Sequence, residues 1–184
     1  NPENSLAVSF NARYVAFVSS ASNLVAGDTN GADDVFLQDT CIGARTACTP
    51  TMARASVRAD GSQSPLPVSY PSVADDGRYV VFVSGDSSMV AGDSNGEPDV
   101  FVRDTCLNAG TSCTPTTTRI SVAADGGNAD GASGQPSFTG RYIAFSSAAS
   151  NLVAGDTNNV VDIFVRDTCI AADATCVQST RLVS

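Results

Sequence analysis

The stretch Ser22–Cys41, SNLVAGDTNGADDVFLQDTC, returns as Ser88–Cys106, SMVAGDSNGEPDVFVRDTC, and again as Ser150–Cys169, SNLVAGDTNNVVDIFVRDTC. Each copy is a loop rich in Asp, Asn and Gly that runs into a short apolar segment ending at a cysteine. Asp28, Asp93 and Asp156 recur at steps of 65 and 63 residues, and so do Arg13, Arg78 and Arg141. An internal period of this length points to a modular stack or ring of supersecondary units.

Working outward from the loop, each period reads as four strands. A short first strand falls around Leu6–Phe10, Ser69–Ala74 and Gln135–Phe138, followed by a tight turn at Ala12, Gly77 or Gly140. The second strand, RYVAFVS, RYVVFVS or RYIAFSS, is apolar almost without alternation, which suits a strand covered on both faces. The third strand is DVFLQD, DVFVRD or DIFVRD, and the fourth is ARASV, TRISV or TRLVS. ADGSQSPLP and ADGGNADGASGQ read as turn-rich connections with no apolar pattern. The two-residue difference in period falls where SVADDGRY (Ser72–Tyr79) shortens to SFTGRY (Ser137–Tyr142), and SFNARY (Ser9–Tyr14) reads as short in the same way. No segment has the periodicity of a helix. The expected fold class is all-β: three four-stranded antiparallel blades of the β-propeller type in tandem, one disulfide per blade, as a single array over 1–184. The blades divide approximately at 1–60, 61–125 and 126–184.

Composition agrees with that reading. The 184 residues are 42% hydrophobic and 16% charged, enough apolar material for a core. All ten cations are Arg, His is absent, and the acids are Asp apart from Glu3 and Glu97, for a net charge of −9. A chain this acidic repels phosphate backbones, which excludes nucleic acid as an expected partner. No apolar stretch is long enough to span a membrane. Six cysteines fall as Cys41/Cys48, Cys106/Cys113 and Cys169/Cys176, always with six residues between. Zinc would need four ligands gathered in one place, and the spacing is unlike C-x₂-C. Local disulfides are the expectation, and with them an oxidising, extracellular or cell-surface compartment.

Tyr70–Gly85, YPSVADDGRYVVFVSG, followed by DVFVRDT (Asp99–Thr105), resembles the TolB-type propeller repeat. Blades of that family carry a P-x-x-S-x-D-G-x-x-[IV]-[AV]-F signature and then a D-[IV]-[FY]-V-x-D strand. The resemblance covers all three periods. The first copy carries Val8 and Ala12 in the places of the signature Pro and Gly, and the family's blade lacks the long loop and the Cys-bracketed turn. The resemblance implies a β-propeller fold and an extracytoplasmic setting, and it carries no catalytic residues.

The loops align as Asp28, Asn30, Asp34; Asp93, Asn95, Asp99; and Asp156, Asn158, Asp162, a D-x-N-[GN]-x-x-D pattern. Calcium takes hard oxygen ligands that tight loops supply from alternate Asp and Asn side chains. The pattern lacks the closing Glu of an EF-hand. Two readings stand side by side: up to one Ca2+ per repeat, or Asx-turns that cap the next strand without an ion. Catalysis has little to draw on. Without His there is no Ser-His-Asp or Cys-His arrangement, and paired cysteines are not nucleophiles. Asp33–Asp34 and Asp75–Asp76 are sequence neighbours, so on a strand they point to opposite faces, unlike the facing pair of a glycosidase. GGNADG (Gly126–Gly131) is similar to one calcium nonapeptide repeat but occurs once, and a plain turn suffices. Arg13, Arg78, Arg141, Arg103 and Arg166 are expected to pair with Asp rather than with a ligand. The threonines of TPTTT (Thr114–Thr118) and TPT (Thr49–Thr51) are candidate O-glycan acceptors, more commonly bare.

Three blades are fewer than the four to eight that close a propeller. The chain starts at Asn1 without Met, and Arg181 is read as opening a fourth strand in phase with Arg54 and Arg119. Expected accounts are a fragment of a longer propeller, a ring completed by a second chain, or an open array whose strand edges recruit the next copy. The leading functional expectation is a non-enzymatic extracellular structural protein whose blades stack head-to-tail, plausibly into a surface filament, with copies of itself as partners. The alternative is a segment of a larger propeller that binds carbohydrate, such as surface glycans, or protein.

Overall fold

The computed structural model describes residues 5–184. Twelve strands follow in chain order: β1 (Leu6–Val8), β2 (Tyr14–Ser19), β3 (Asp34–Asp39), β4 (Thr51–Arg54), β5 (Val68–Val73), β6 (Tyr79–Ser84), β7 (Asp99–Asp104), β8 (Thr116–Arg119), β9 (Ser133–Phe138), β10 (Tyr142–Ser147), β11 (Asp162–Asp167) and β12 (Ser179–Leu182). They form three four-stranded antiparallel sheets, β1-β2-β3-β4, β5-β6-β7-β8 and β9-β10-β11-β12, each in sequence order. Among the described residues there is no helix, so none is long and apolar enough to cross a membrane. Each sheet is one propeller-type blade with one disulfide, as the sequence predicts.

The register of the central strand pair is identical in the three blades. Tyr14 faces Asp39, Tyr79 faces Asp104 and Tyr142 faces Asp167, and each ladder runs six residues without interruption. Cross-strand phenylalanines sit at its middle, with Phe17–Phe36, Phe82–Phe101 and Phe145–Phe164 centroids 5.9, 6.0 and 5.9 Å apart. Aromatic pairs directly opposite on an antiparallel ladder fix register as well as adding contact.

The core lies between the blades. One cluster joins Tyr14, Ala16, Val35, Leu37 and Ala55 of the first blade to Val73, Val80, Phe82, Met89 and Phe101 of the second. The other joins Val81, Val83, Val100, Val102 and Ile120 of the second to Phe138, Ile143, Phe145, Leu152 and Phe164 of the third. Every blade therefore offers a front face to the blade that follows it and a back face to the one before. Only the middle blade has both covered, and β6 is buried from Val80 to Ser84. In β2 the buried residues are Tyr14 and Ala16, whereas in β10 they are Ile143, Phe145 and Ser147, the opposite alternation. The near-continuous apolar sequence of the second strand thus belongs to a blade with two neighbours.

Three details of the sequence reading are corrected. The first blade's β1–β2 turn is not short: Val8 pairs with Val15 as Val73 pairs with Val80, six residues before Tyr14 and Tyr79 respectively. Val8 therefore stands at Val73, and Leu6 at the signature proline. Only the third blade lost residues, between Phe138 and Tyr142. Ala12 does take the place of Gly77 and Gly140 and is held at φ 58°. The fourth strands end at the arginine in the first two blades instead of starting near it. Beyond it the chain bends, so that Ala55 and Ser56 both donate their N–H to the Val35 carbonyl. The connections are also more ordered than their composition suggests, closing single bridges Val57–Gln63 and Val122–Asn128 over the Asp60–Gly61 and Asp125–Gly126 turns. The part of the first blade's entry that falls on residues 1–4 lies outside the described residues.

The signature proline has a structural reason. The β5–β6 and β9–β10 ladders shift register between Ser69 and Ser72 and across the Ala144–Ser146 partners. At each shift a non-glycine residue, Tyr70 or Gln135, sits at φ 53° or 49° just before Pro71 or Pro136. A proline at a bulge sacrifices no ladder hydrogen bond.

Candidate functional site: the polar loops and the open face of the third blade

The aligned loop residues of the first blade converge on an arginine. Arg54, at the end of β4, places Nη1 3.2 Å from Asp28 Oδ1, 3.1 Å from Asp34 Oδ2 and 2.7 Å from Gln63 Oε1. Asn30 donates Nδ2–H to Asp34 Oδ2 and to the Ser64 carbonyl, both at 2.8 Å. Ser56 donates its hydroxyl to Asp34 Oδ1 at 2.7 Å. The second blade repeats the arrangement. Arg119 Nη1 lies 3.0 Å from Asp93 Oδ1, 3.6 Å from Asp99 Oδ2 and 2.6 Å from Asn128 Oδ1. Asn95 donates to Asp99 Oδ2 and to the Ala129 carbonyl, and Ser121 donates to Asp99 Oδ1. Burial raises the Asp93 and Asp99 carboxyls above the usual range despite Arg119. In both loops a guanidinium occupies the space that the sequence pattern reserves for a cation. The asparagine turns its amide nitrogen, not its oxygen, toward the carboxylates.

The third loop is built differently. Asp162 Oδ1 accepts the Ser184 hydroxyl at 3.0 Å, which matches Ser56 and Ser121. Leu182 now stands where Arg54 and Arg119 stand, because Leu182 pairs with Phe164 as Arg54 pairs with Phe36 and Arg119 with Phe101. Arg181 is one residue out of phase and belongs to the other face, facing Val165 across the ladder. The cause is one residue missing between Cys176 and Arg181 compared with Cys48–Arg54 and Cys113–Arg119. A one-residue slip reverses the face of every side chain in a strand. The sequence expectation that Arg181 is in phase with the other two is corrected accordingly.

The second repeated arrangement is at the disulfide. Arg13 donates Nε–H to Asp39 Oδ1 at 2.9 Å and Nη2–H to Asp39 Oδ2 at 2.8 Å, a bidentate pair. Its guanidinium stacks on the Tyr14 ring at 5.0 Å and reaches Cys48 Sγ at 3.6 Å. Asp39 Oδ1 also accepts the Cys41 N–H. Arg78–Asp104 and Arg141–Asp167 reproduce this beside Cys106–Cys113 and Cys169–Cys176. The arginine hydrogen bonds hold Asp39 and Asp167 below the ordinary carboxylate range. At Asp104 burial opposes the same shift and is outweighed by Arg78 and the Cys106 N–H. These Asp-Cys-Cys groups bring three potential ligands together, but the sulfurs are joined to each other and offer no thiolate. The expected pairing with Asp therefore holds for Arg13, Arg78 and Arg141. It does not hold for Arg103 and Arg166, which bond Thr117, and Thr180 with Gln178. Of the candidate glycan acceptors, Thr117 is buried and gives its hydroxyl to the Val57 carbonyl, which removes it from consideration. Asp33 is exposed just before β3 while its neighbour Asp34, the first residue of the strand, is fully buried, so the two carboxylates do not face each other as a pair.

The largest asymmetry is at the front face. Tyr14, Val35 and Ala55 are 2%, 0% and 1% exposed, and Val100 and Ile120 are 0% and 4%. Their counterparts Tyr142, Ile163 and Val183 are 44%, 42% and 64% exposed. Between the second and third blades a groove of about 120 Å³ is lined by Tyr79, Val102, Asp104 and Thr116 and closed by Ile170 and Gln178. The equivalent groove on the third blade, lined by Tyr142, Val165, Asp167, Ser179 and Arg181, measures about 320 Å³. Sequence reasoning missed Arg54, Arg119, Gln63 and Asn128 as loop partners. The one signal for them was the spacing Arg54–Ser56 and Arg119–Ser121, which becomes Arg181–Ser184.

No protein-family model matches the chain, and no curated protein matches it. Among solved structures it is similar to TolB from Acinetobacter baumannii, with a TM-score of 0.43 at 18% sequence identity. That similarity covers 95% of this chain, which spans only 31% of the TolB chain.

Proposed function

We propose that this is a non-enzymatic extracellular structural repeat protein whose blades stack head-to-tail into a larger assembly, a surface filament. In this reading the front face of the third blade in one copy receives the back face of the first blade in the next. The observation that carries it is the exposure of Ile163 and Val183, at positions buried in both preceding blades, and of Tyr142, whose counterparts Tyr14 and Tyr79 are buried and half-buried. Large apolar side chains exposed together on a sheet face, here rimmed by Asp167, Ser179 and Arg181, suit an interaction site. The matching back face belongs to the first blade. Leu6 and Val8 are 60% and 51% exposed. Val15, Phe17 and Leu24 are only half-buried, whereas Val80, Phe82 and Met89 at the same places in the second blade are completely buried.

The chemistry of the polar sites supports a structural role over catalysis. There is no His, every cysteine is in a disulfide, and the paired carboxylates of the first two loops are neutralised by arginine. Local disulfides in every blade favour an oxidising compartment outside the cell. Negative-stain electron microscopy of the purified chain tests the reading, with Ile163→Asp as the comparison. Rows of stacked blades that disappear in the variant are expected. Single compact particles for the unaltered chain at every concentration would overturn self-assembly and leave a binding module as the better description.

A further inference from the structure

We infer that the third loop, and it alone, is a divalent-cation site of the calcium type, formed by Asp156, Asn158 and Asp162. The inference is independent of the stacking proposed above. It rests on a buried carboxylate oxygen that has no partner among the described residues. Asp162 is 4% exposed, and its Oδ2 is completely buried without a hydrogen bond. The direction of that oxygen follows from the repeat. In all three blades the other oxygen, Oδ1, accepts a serine hydroxyl from the end of the fourth strand. In the first two, Oδ2 faces the loop centre, where asparagine and arginine meet it. In the third, Leu182 has replaced the arginine, and Asn158 makes no bond to Asp162. Asn158 Oδ1 accepts only the Val160 N–H, at 3.2 Å.

A buried ionised carboxylate left unpaired is costly, so such groups are paired or coordinate a metal. The first two blades solve this with a guanidinium inside the loop. The third retains both aspartates and the asparagine, and its amide nitrogen is released from the carboxylate. Calcium is the cation suited to that donor set, since it takes carboxylate and amide oxygens in irregular geometry. Magnesium demands near-ideal octahedral geometry at shorter distances and dehydrates reluctantly, so it is less suited to an irregular set of carboxylate and amide oxygens. Asn159, at φ 55°, supplies the left-handed residue that Gly31 and Gly96 supply in the other loops.

The test is a CaCl2 titration of the intact chain at constant ionic strength, followed by backbone amide chemical shifts. Saturable shifts are expected in 156–162 with a Kd of about 10⁻⁴–10⁻³ M, as for weak extracellular sites. No saturable shifts are expected in 28–34 or 93–99. Asp156→Asn is expected to weaken binding at least about tenfold, the consequence of removing one of two charged ligands from such a site. Leu182→Arg restores the arginine of the other blades at a partly exposed position and is expected to abolish the response. Absence of a saturable response up to about 10 mM, well above that Kd range, would overturn the inference. So would equal responses in all three loops, or a response unchanged by Asp156→Asn.

Discussion

Tyr14 and Gly77 show how closely the blades approach. A Cβ added at Gly77 would overlap the Tyr14 ring, whose hydroxyl accepts the Asn108 Nδ2–H at 2.9 Å, and Gly77 is also at φ 72°. Gly140, at φ 86°, has open space where its Cβ would point. Gly77→Ala is therefore expected to cost about 2–4 kcal/mol, overpacking added to backbone strain, and Gly140→Ala about 1 kcal/mol. Urea unfolding of the two variants measures both, and equal losses would contradict this packing. The arginine-bound aspartates make a second prediction. Asp39, Asp104 and Asp167 are held below their unfolded value, so their contribution is complete above about pH 3.9 and is lost as pH falls through the folded values. Asp93 and Asp99 have the opposite sign. Their folded values are raised, so their contribution is present below about pH 3.9 and is lost as pH rises through the folded values. Asp104→Asn removes one member of the first group, so stability measured by urea between pH 4 and pH 2 is expected to fall less steeply than in the unaltered chain. Parallel slopes would contradict the assignment.

At the level of strands and loops, each blade is a small sheet closed by a covalent turn. Cys106 and Cys113 are seven residues apart in sequence with Cα atoms 5.7 Å apart, beside the Arg78–Asp104 pair. Closing a loop of this size stabilises by about 2–3 kcal/mol in the chain-entropy model. Replacing both cysteines by serine is expected to lower urea stability by about that amount, and an unchanged midpoint would contradict a stabilising role. The strands themselves were legible in the sequence. DVFLQD, DVFVRD and DIFVRD coincide with β3, β7 and β11 because a short run of β-branched and aromatic residues bounded by aspartates marks both ends of a strand. The fourth strands were not, because Arg54 and Arg119 look like surface residues until their loop partners are placed. Gln63 and Asn128 reach those loops across 33 residues or more, a proximity that no local pattern records. The same limit hid the third loop's difference. One residue lost after Cys176 moves Arg181 to the wrong face while leaving the visible TR dipeptide intact.

Over the whole molecule, stability is distributed along one axis. The first blade buries its front face on the second and the second its front face on the third, the nearest-neighbour contacts of a repeat array. The middle blade has a neighbour on both faces, the first presents a half-covered back, and the third presents an uncovered front of Tyr142, Ile163 and Val183. In the stacking proposed above, this front face is the interface with a second copy. Its most direct test is the mass of the pure chain by light scattering over a concentration series, beside Ile163→Asp. Mass rising with concentration is expected for the unaltered chain, and a constant monomer for the variant. A constant 18.7 kDa monomer for the unaltered chain would contradict it.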